Sequence, residues 1–228
     1  MTRATILNFS RGARPLLVLL ALLLGTVAMP AAAQNDVSVT AIVVPQSGCA
    51  LAATENVSLR IFNYGSTLPA ATSFNVSYTI NVGAPVVELI TLASPLTSNS
   101  AMTYTFTTQA NLSTPGGYVF DASVSLPGDV SPANDSFTGY VVMNSAPSDG
   151  GTVAGPLSGS SGTLTLSGHT GNVLQWEESD DGGLRWFVVS NETTTLDFAN
   201  LRAPTQFRAR VRNDMCPDAL SNIALVTP

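Results

Sequence analysis

Glu177, Glu178, Asp180 and Asp181 are the densest carboxylates in the chain. Facing carboxylates at a suitable separation hydrolyse glycosides. Consecutive positions on a strand and its turn instead point apart or outward, so this run makes no acid–base pair. His169, in Gly168-His169-Thr170-Gly171, is the single His. A Ser-His-Asp relay would have to use it, and nothing near it has the form of a nucleophile elbow. A zinc site needs about four N or S ligands, and one His with Cys49 and Cys216 falls short. Gly155 to Gly162 is Gly-rich but lacks a Lys and a following helix, which excludes a phosphate loop. The expectation is a protein with no enzymatic activity and no cofactor.

Three groups could bind rather than react. Asp129, Asn134 and Asp135 gather oxygen atoms in one loop, as a calcium site would. Asp and Asn also build turns, and turn-building is the first reading because the dense alternating ligand run of a dedicated calcium loop is missing. Arg208, Arg210 and Arg212 alternate with Phe207, Ala209 and Val211, so three cations share one strand face. Pairing with Glu177 or nearby carboxylates across a sheet is ordinary chemistry for such a face; contact with an anionic glycan is the sharper alternative. Trp176 and Trp186 are either core anchors or a ligand platform.

These residues need an element to hold them. Leu174, Trp176 and Glu178 share one face of an extended segment, and Leu184, Trp186 and Val188 share one on the return. Asp181-Gly182 between the two runs signals a hairpin, since Gly supplies positive φ without steric cost. The spacing Ser179-x-Asp181-x-Gly183-x-x-Trp186 resembles the Asp-box hairpin of sialidase-like proteins, with Arg185 where that motif carries Thr. The resemblance implies a structural turn away from any chemistry.

Arg3, Arg11 and Arg14 precede a nearly unbroken apolar run from Pro15 to Met29, and Ala31-Ala32-Ala33 offers a small-residue cleavage site. Residues 1–33 therefore read as a signal peptide, too short for the roughly 20 residues of a bilayer span. The remaining chain has six Arg, no Lys and fifteen carboxylates, a net charge of about −9. Such a surface repels phosphate, so nucleic acid and anionic lipid are poor partners. No later segment is apolar for long enough to span a membrane, and a secreted or surface-associated location is expected.

Thr, Ser, Val, Gly and Pro dominate, with turn residues every ten or so positions, so the fold class expected is all-β: two antiparallel immunoglobulin/fibronectin-like sandwiches in tandem. Residues 34–144 carry seven alternating rows, among them Val37-Val39-Ala41-Val43, Val57-Leu59-Ile61 and Phe74-Val76-Tyr78-Ile80. Residues 145–151 form a Pro- and Gly-rich linker. Residues 152–228 hold the second module.

Asp36-Val37-x-Val39, Asn63-x-Gly65, Tyr118 after Gly-Gly, and Gly128-Asp129…Asn134-Asp135 resemble the cell-adhesion-related domain found in bacteria. Leu164-x-Leu166-x-Gly168-His169-x-Gly171, Gln175-Trp176 and Phe207-Arg208-Ala209 are similar to immunoglobulin-like modules of large exported bacterial proteins. Those modules pair a Cys near the first strand with one before the last. Cys216 is present, but Pro156 and Ser158 occupy the region where its partner would stand, so no bond forms within this module. A bond between modules, a bond to another chain and two buried thiols stay open, with buried thiols the default.

The resemblances imply adhesion or display at a bacterial surface, with an extracellular protein or polysaccharide as partner. A carbohydrate-binding accessory module, using Tyr64, Trp176 or Trp186, is the runner-up. A further reading makes the chain the start of a larger multidomain surface protein.

Overall fold

The computed structural model describes residues 34–228. The leader expected over residues 1–33 lies outside them. All regular structure among the described residues is strand, and no helix there is long and apolar enough to cross a membrane.

The first module holds β1 (Val37–Val44), β2 (Gly48–Cys49), β3 (Ser58–Asn63), β4 (Ser73–Ile80), β5 (Val86–Thr91), β6 (Ser100–Thr105), β7 (Gly116–Ser125) and β8 (Ser136–Ser145). One sheet runs β1-β3-β6; the other runs β2-β8-β7-β4-β5. Every pairing is antiparallel except β2 with β8. Alternation makes this sandwich, because period-2 side chains let each strand turn one apolar row inward. Val57, Leu59 and Ile61 are buried, as are Phe74, Val76 and Tyr78. Tyr78 packs edge-on against Phe106 at 4.7 Å, and its hydroxyl donates to the Thr108 carbonyl at 3.1 Å.

Two details depart from the sequence pattern. Ladder irregularities between Val39 and Ala41 and between Ile42 and Val44 shift β1, so Ile42 enters the core while Val43 is exposed. The turn expected at Gln46–Cys49 contains the short strand β2, which brings the strand count to eight.

Gly65 shows how the N-terminus is sewn in. The Tyr64 and Gly65 amides both donate to the Asp36 carbonyl. A Cβ at Gly65 would fall 2.3 Å from the Gln34 carbonyl oxygen, so only Gly allows that approach.

The second module holds β9 (Thr152–Ala154), β10 (Gly162–Ser167), β11 (Asn172–Ser179), β12 (Phe187–Val189), β13 (Thr195–Phe198), β14 (Thr205–Arg212), β15 (Ala219–Leu220) and β16 (Ala224–Val226). The sheet β13-β10-β9 faces a sheet ordered β12-β11-β14, with β15 and β16 both paired to β14. Its core centres on Trp176, Leu164, Phe207 and Val211 and shares no residue with the first core.

Candidate functional site

β11 carries a bulge between Val173 and Gln175. The extra residue puts Val173 and Trp176 on the core side, opposite Val211 and Ala209, and removes Leu174 from the row it was expected to share with Trp176. Trp176 is completely buried, and its indole N–H donates to the Thr193 carbonyl at 2.9 Å. Burial on this scale takes Trp176 out of the set of residues a ligand could touch. On the return strand Val189 pairs with Trp176, and Val188 faces outward beside Glu177.

The turn between these strands is fixed by side chains. Ser179 Oγ donates to Asp181 Oδ1 at 2.9 Å and accepts from the Gly183 amide at 2.9 Å. Asp181 Oδ1 also accepts from the Arg185 amide at 2.9 Å. That amide bond holds the Asp181 carboxyl below the usual range, aided by Ser179. Gly182 has φ 78°, the left-handed conformation that the Asp-Gly pair anticipates. The carboxylate with the Asp-box spacing therefore stabilises a turn.

Glu177 stands on the outer side of β11, one residue from Trp176, yet is only 4% exposed. Arg208 Nε reaches Glu177 Oε2 at 2.6 Å, and Arg210 Nη2 reaches Oε1 at 2.8 Å. Gln175 donates to Oε1 at 2.8 Å. Arg210 continues to Asp218 at 3.4 Å, which Arg212 also pairs. Burial alone would raise the Glu177 pKa, but the hydrogen bonds from Arg210, Arg208 and Gln175 outweigh it and lower it. Trp186 closes the row: the Arg208 guanidinium lies 3.8 Å from its ring centroid, a cation–π stack. Trp186, Arg208, Glu177, Arg210, Asp218 and Arg212 thus form one continuous ladder across the outer face of the sheet. Val188, Leu220 and Leu225 flank it, partly exposed. The structure brings Arg208, Arg210, Arg212 and Trp186 together and leaves Trp176 beneath them.

Asp129, Asn134 and Asp135 also come together, and Asp36 joins them. Asp129 is spent on backbone: Oδ2 accepts from the Val37 amide at 2.8 Å and Oδ1 from the Ser131 amide at 2.7 Å. Asn134 Nδ2 donates to Asp36 Oδ1 at 3.0 Å. Asn134 Oδ1 and Asp135 Oδ1 are sealed from solvent without a hydrogen-bond partner. Burial, then Asp129 and Asp36, push the Asp135 carboxyl up to about 6. These oxygens are of the type a hard cation takes; among the described residues no group of three His, Cys, Asp or Glu side chains is spaced to hold a metal ion. The hydrogen bonds of Asp129 make it a turn builder joining the N-terminal strand to the loop.

His169 sits in the turn before β11 with Nδ1 buried and unpartnered. It contacts no Ser or carboxylate by hydrogen bond among the described residues.

Sequence reasoning passed over one polar cluster. Glu88, on the edge strand β5, reaches across to the other sheet. Its Oε2 accepts from Tyr104 Oη at 2.6 Å and the Thr107 amide at 3.0 Å; Oε1 accepts from Thr107 Oγ1 at 2.7 Å and the Thr108 amide at 2.9 Å. Burial raises Tyr104 to about 12, with Glu88 adding to it. The signal was a charge inside the apolar run Val86 to Leu92.

The expectation of two buried thiols is overturned. Cys49 and Cys216 form a disulfide with Cα atoms 4.9 Å apart, within the reach such a bond requires. β2 carries Cys49 alongside the end of β8, where the chain leaves for the second module. The Asn213–Cys216 turn, closed by the Cys216 amide on the Asn213 carbonyl, meets it there.

Residues 150–227 match a family model described as a domain of unknown function (DUF8696). No curated protein matches the chain. Among solved structures, domains A168–A170 of titin align at 15% identity over 85% of this chain and 66% of that one, with TM-score 0.41. Chicken CNTN1 FN1–FN3 domains align at 12% identity over 86% and 69%, TM-score 0.29. A beta-1,2-glucanase from Parabacteroides distasonis aligns at 9% identity over 86% and 36%, TM-score 0.31. The chain thus spans just under two thirds of the titin fragment and about a third of the glucanase. Its own sheet orders make it an all-β chain of two immunoglobulin/fibronectin-like sandwiches.

Proposed function

We propose that this is a non-enzymatic exported protein serving adhesion or display at a bacterial surface, with an extracellular protein or polysaccharide as partner. The observation that carries the reading is the fate of its reactive side chains. Glu177, Asp181 and Glu88 are each satisfied by groups of the fold itself, so they hold shape rather than wait for a substrate. The disulfide supports a location outside the reducing cytosol. Rigid sandwiches then present loops and sheet faces. Probing glycan and matrix-protein arrays with residues 34–228 tests it. Saturable binding to one class is expected; turnover of any compound that depends on His169 would refute it.

Carbohydrate binding is the second reading. What favours it is the surface formed by Trp186, Arg208 and the exposed Val188 on one sheet face. Loss of glycan retention on Trp186→Ala, with the fold intact, would select it over the first.

A further inference from the structure

The two cores share no residue, and the connection between them is short. β8 ends at Ser145, while the Asp149 amide and carbonyl already pair with Thr170 of the second module. Gly150 lies so close to the Leu220 carbonyl that a Cβ would stand 2.0 Å from its oxygen. Only Ala146, Pro147 and Ser148 are therefore free to rotate one module against the other.

The Asn213–Cys216 turn bears on that joint. Asn213 Nδ2 donates to the Ala146 carbonyl at 2.8 Å, and the Asn213 amide donates to Ser148 Oγ at 2.9 Å. Ser145 Oγ donates to Asp214 Oδ2 at 3.3 Å. These are polar bonds that water can replace. The covalent contact in the set is Cys49–Cys216.

We propose that the Cys49–Cys216 disulfide is a latch on a hinge at Ala146–Ser148, and that cleaving it turns a rigid pair of modules into a jointed one. The reductant is a dithiol. Cys216 is 2% exposed, whereas Cys49 is partly open to solvent, so attack falls on Cys49 Sγ. One reductant sulfur bonds to Cys49 as the Sγ–Sγ bond breaks, and the Cys216 thiolate leaves and takes a proton. The second reductant thiol then closes on the first, freeing Cys49 as a thiol. The protein gains two electrons and two protons; the reductant becomes a cyclic disulfide.

Small-angle scattering of residues 34–228, with and without dithiothreitol, tests the latch, with mass mapping to verify the bond state. The oxidised protein gives one narrow distance distribution. The reduced protein, and the C49S/C216S double variant, give a broader distribution and a larger maximum dimension. In a Trp186→Ala background, where Trp176 is the single emitter, the emission stays blue in all of them, because the second module keeps its own core. Asn213→Ala leaves the oxidised distribution unchanged and broadens the reduced one further. Identical scattering in both redox states overturns the proposal. So does a red shift of Trp176 on reduction, which would make the bond a support of the module folds, or loosening of oxidised Asn213→Ala.

Discussion

Glu177 and Arg208 stand directly opposite each other on β11 and β14, with the carboxylate 2.6 Å from the guanidinium and Trp186 stacked on its far side. The acid is buried while its partners are partly solvated, with side-chain exposures of 18% for Arg208 and 33% for Arg210. Removing the acid leaves two guanidiniums close together without their counter-charge. Breaking a fully buried pair costs about 3–5 kcal/mol; partial exposure of the cations brings the expected loss for Glu177→Ala to about 2–3 kcal/mol. Urea unfolding at neutral pH measures it. A loss below the ordinary surface range would make the ladder decorative.

The same carboxylate sets one pH limb and Glu88 sets another. Burial alone would raise Glu88, but hydrogen bonds from Tyr104, Thr107 and Thr108 pull its carboxyl down to about 2. A carboxyl depressed in the fold contributes stability that is present above its unfolded value of 4.5 and lost as pH falls toward 2. Glu88→Gln should therefore destabilise the protein at pH 7 by about 1 kcal/mol, allowing for solvent screening at this partly exposed carboxyl. It should match the parent near pH 2. A constant gap between the two proteins from pH 7 to pH 2 would show that the charge of Glu88 is irrelevant.

Much of this fold was legible because alternation is a local signal. Phe74-Val76-Tyr78 and Val57-Leu59-Ile61 face inward as their period requires. Alternation misleads where the ladder slips by one residue. The bulge beside Leu174 put Val173 in the core, and the irregular β1 exposed Val43, since a bulge is a property of a strand pair rather than of one strand. Long-range polar partners were hidden for a related reason. The alternation of Arg208 to Arg212 announced a charged face and the pairing with Glu177. Nothing local to Glu88 announced Thr107 and Thr108, which lie in the loop that follows β6 of the other sheet. Cys49 and Cys216 are 167 residues apart, and only the packing of the two modules brings them together.

Asp135 works in the opposite sense from Glu88. Its carboxyl is raised to about 6 by burial and by Asp129 and Asp36. Its favourable contribution is fully present below 3.8, where both states are protonated, and is lost as pH rises through 6. Asp135→Asn should stabilise the protein at pH 8 by about 1 kcal/mol, allowing for solvent screening, and change little at pH 3. The turn-building role of Asp129 further implies that calcium leaves the melting midpoint of the parent unmoved. A calcium-dependent rise that Asp135→Asn abolishes would make the loop a cation site.

The two Trp residues separate core from surface in one experiment. Trp176 is completely enclosed, and truncation to Ala opens a cavity between two sheets; about 3–5 kcal/mol of stability is expected to go with it. Trp186 meets the Arg208 guanidinium on an outer face, where a cation–π stack is worth about 0.5–1 kcal/mol. Trp186→Ala should therefore leave a folded protein whose remaining emission is the blue signal of Trp176. In the reverse variant, if it folds, the remaining emission should respond to iodide, because Trp186 is partly solvated. Equal losses from both substitutions would mean that Trp186 belongs to the core, and would remove it as a candidate contact for any partner.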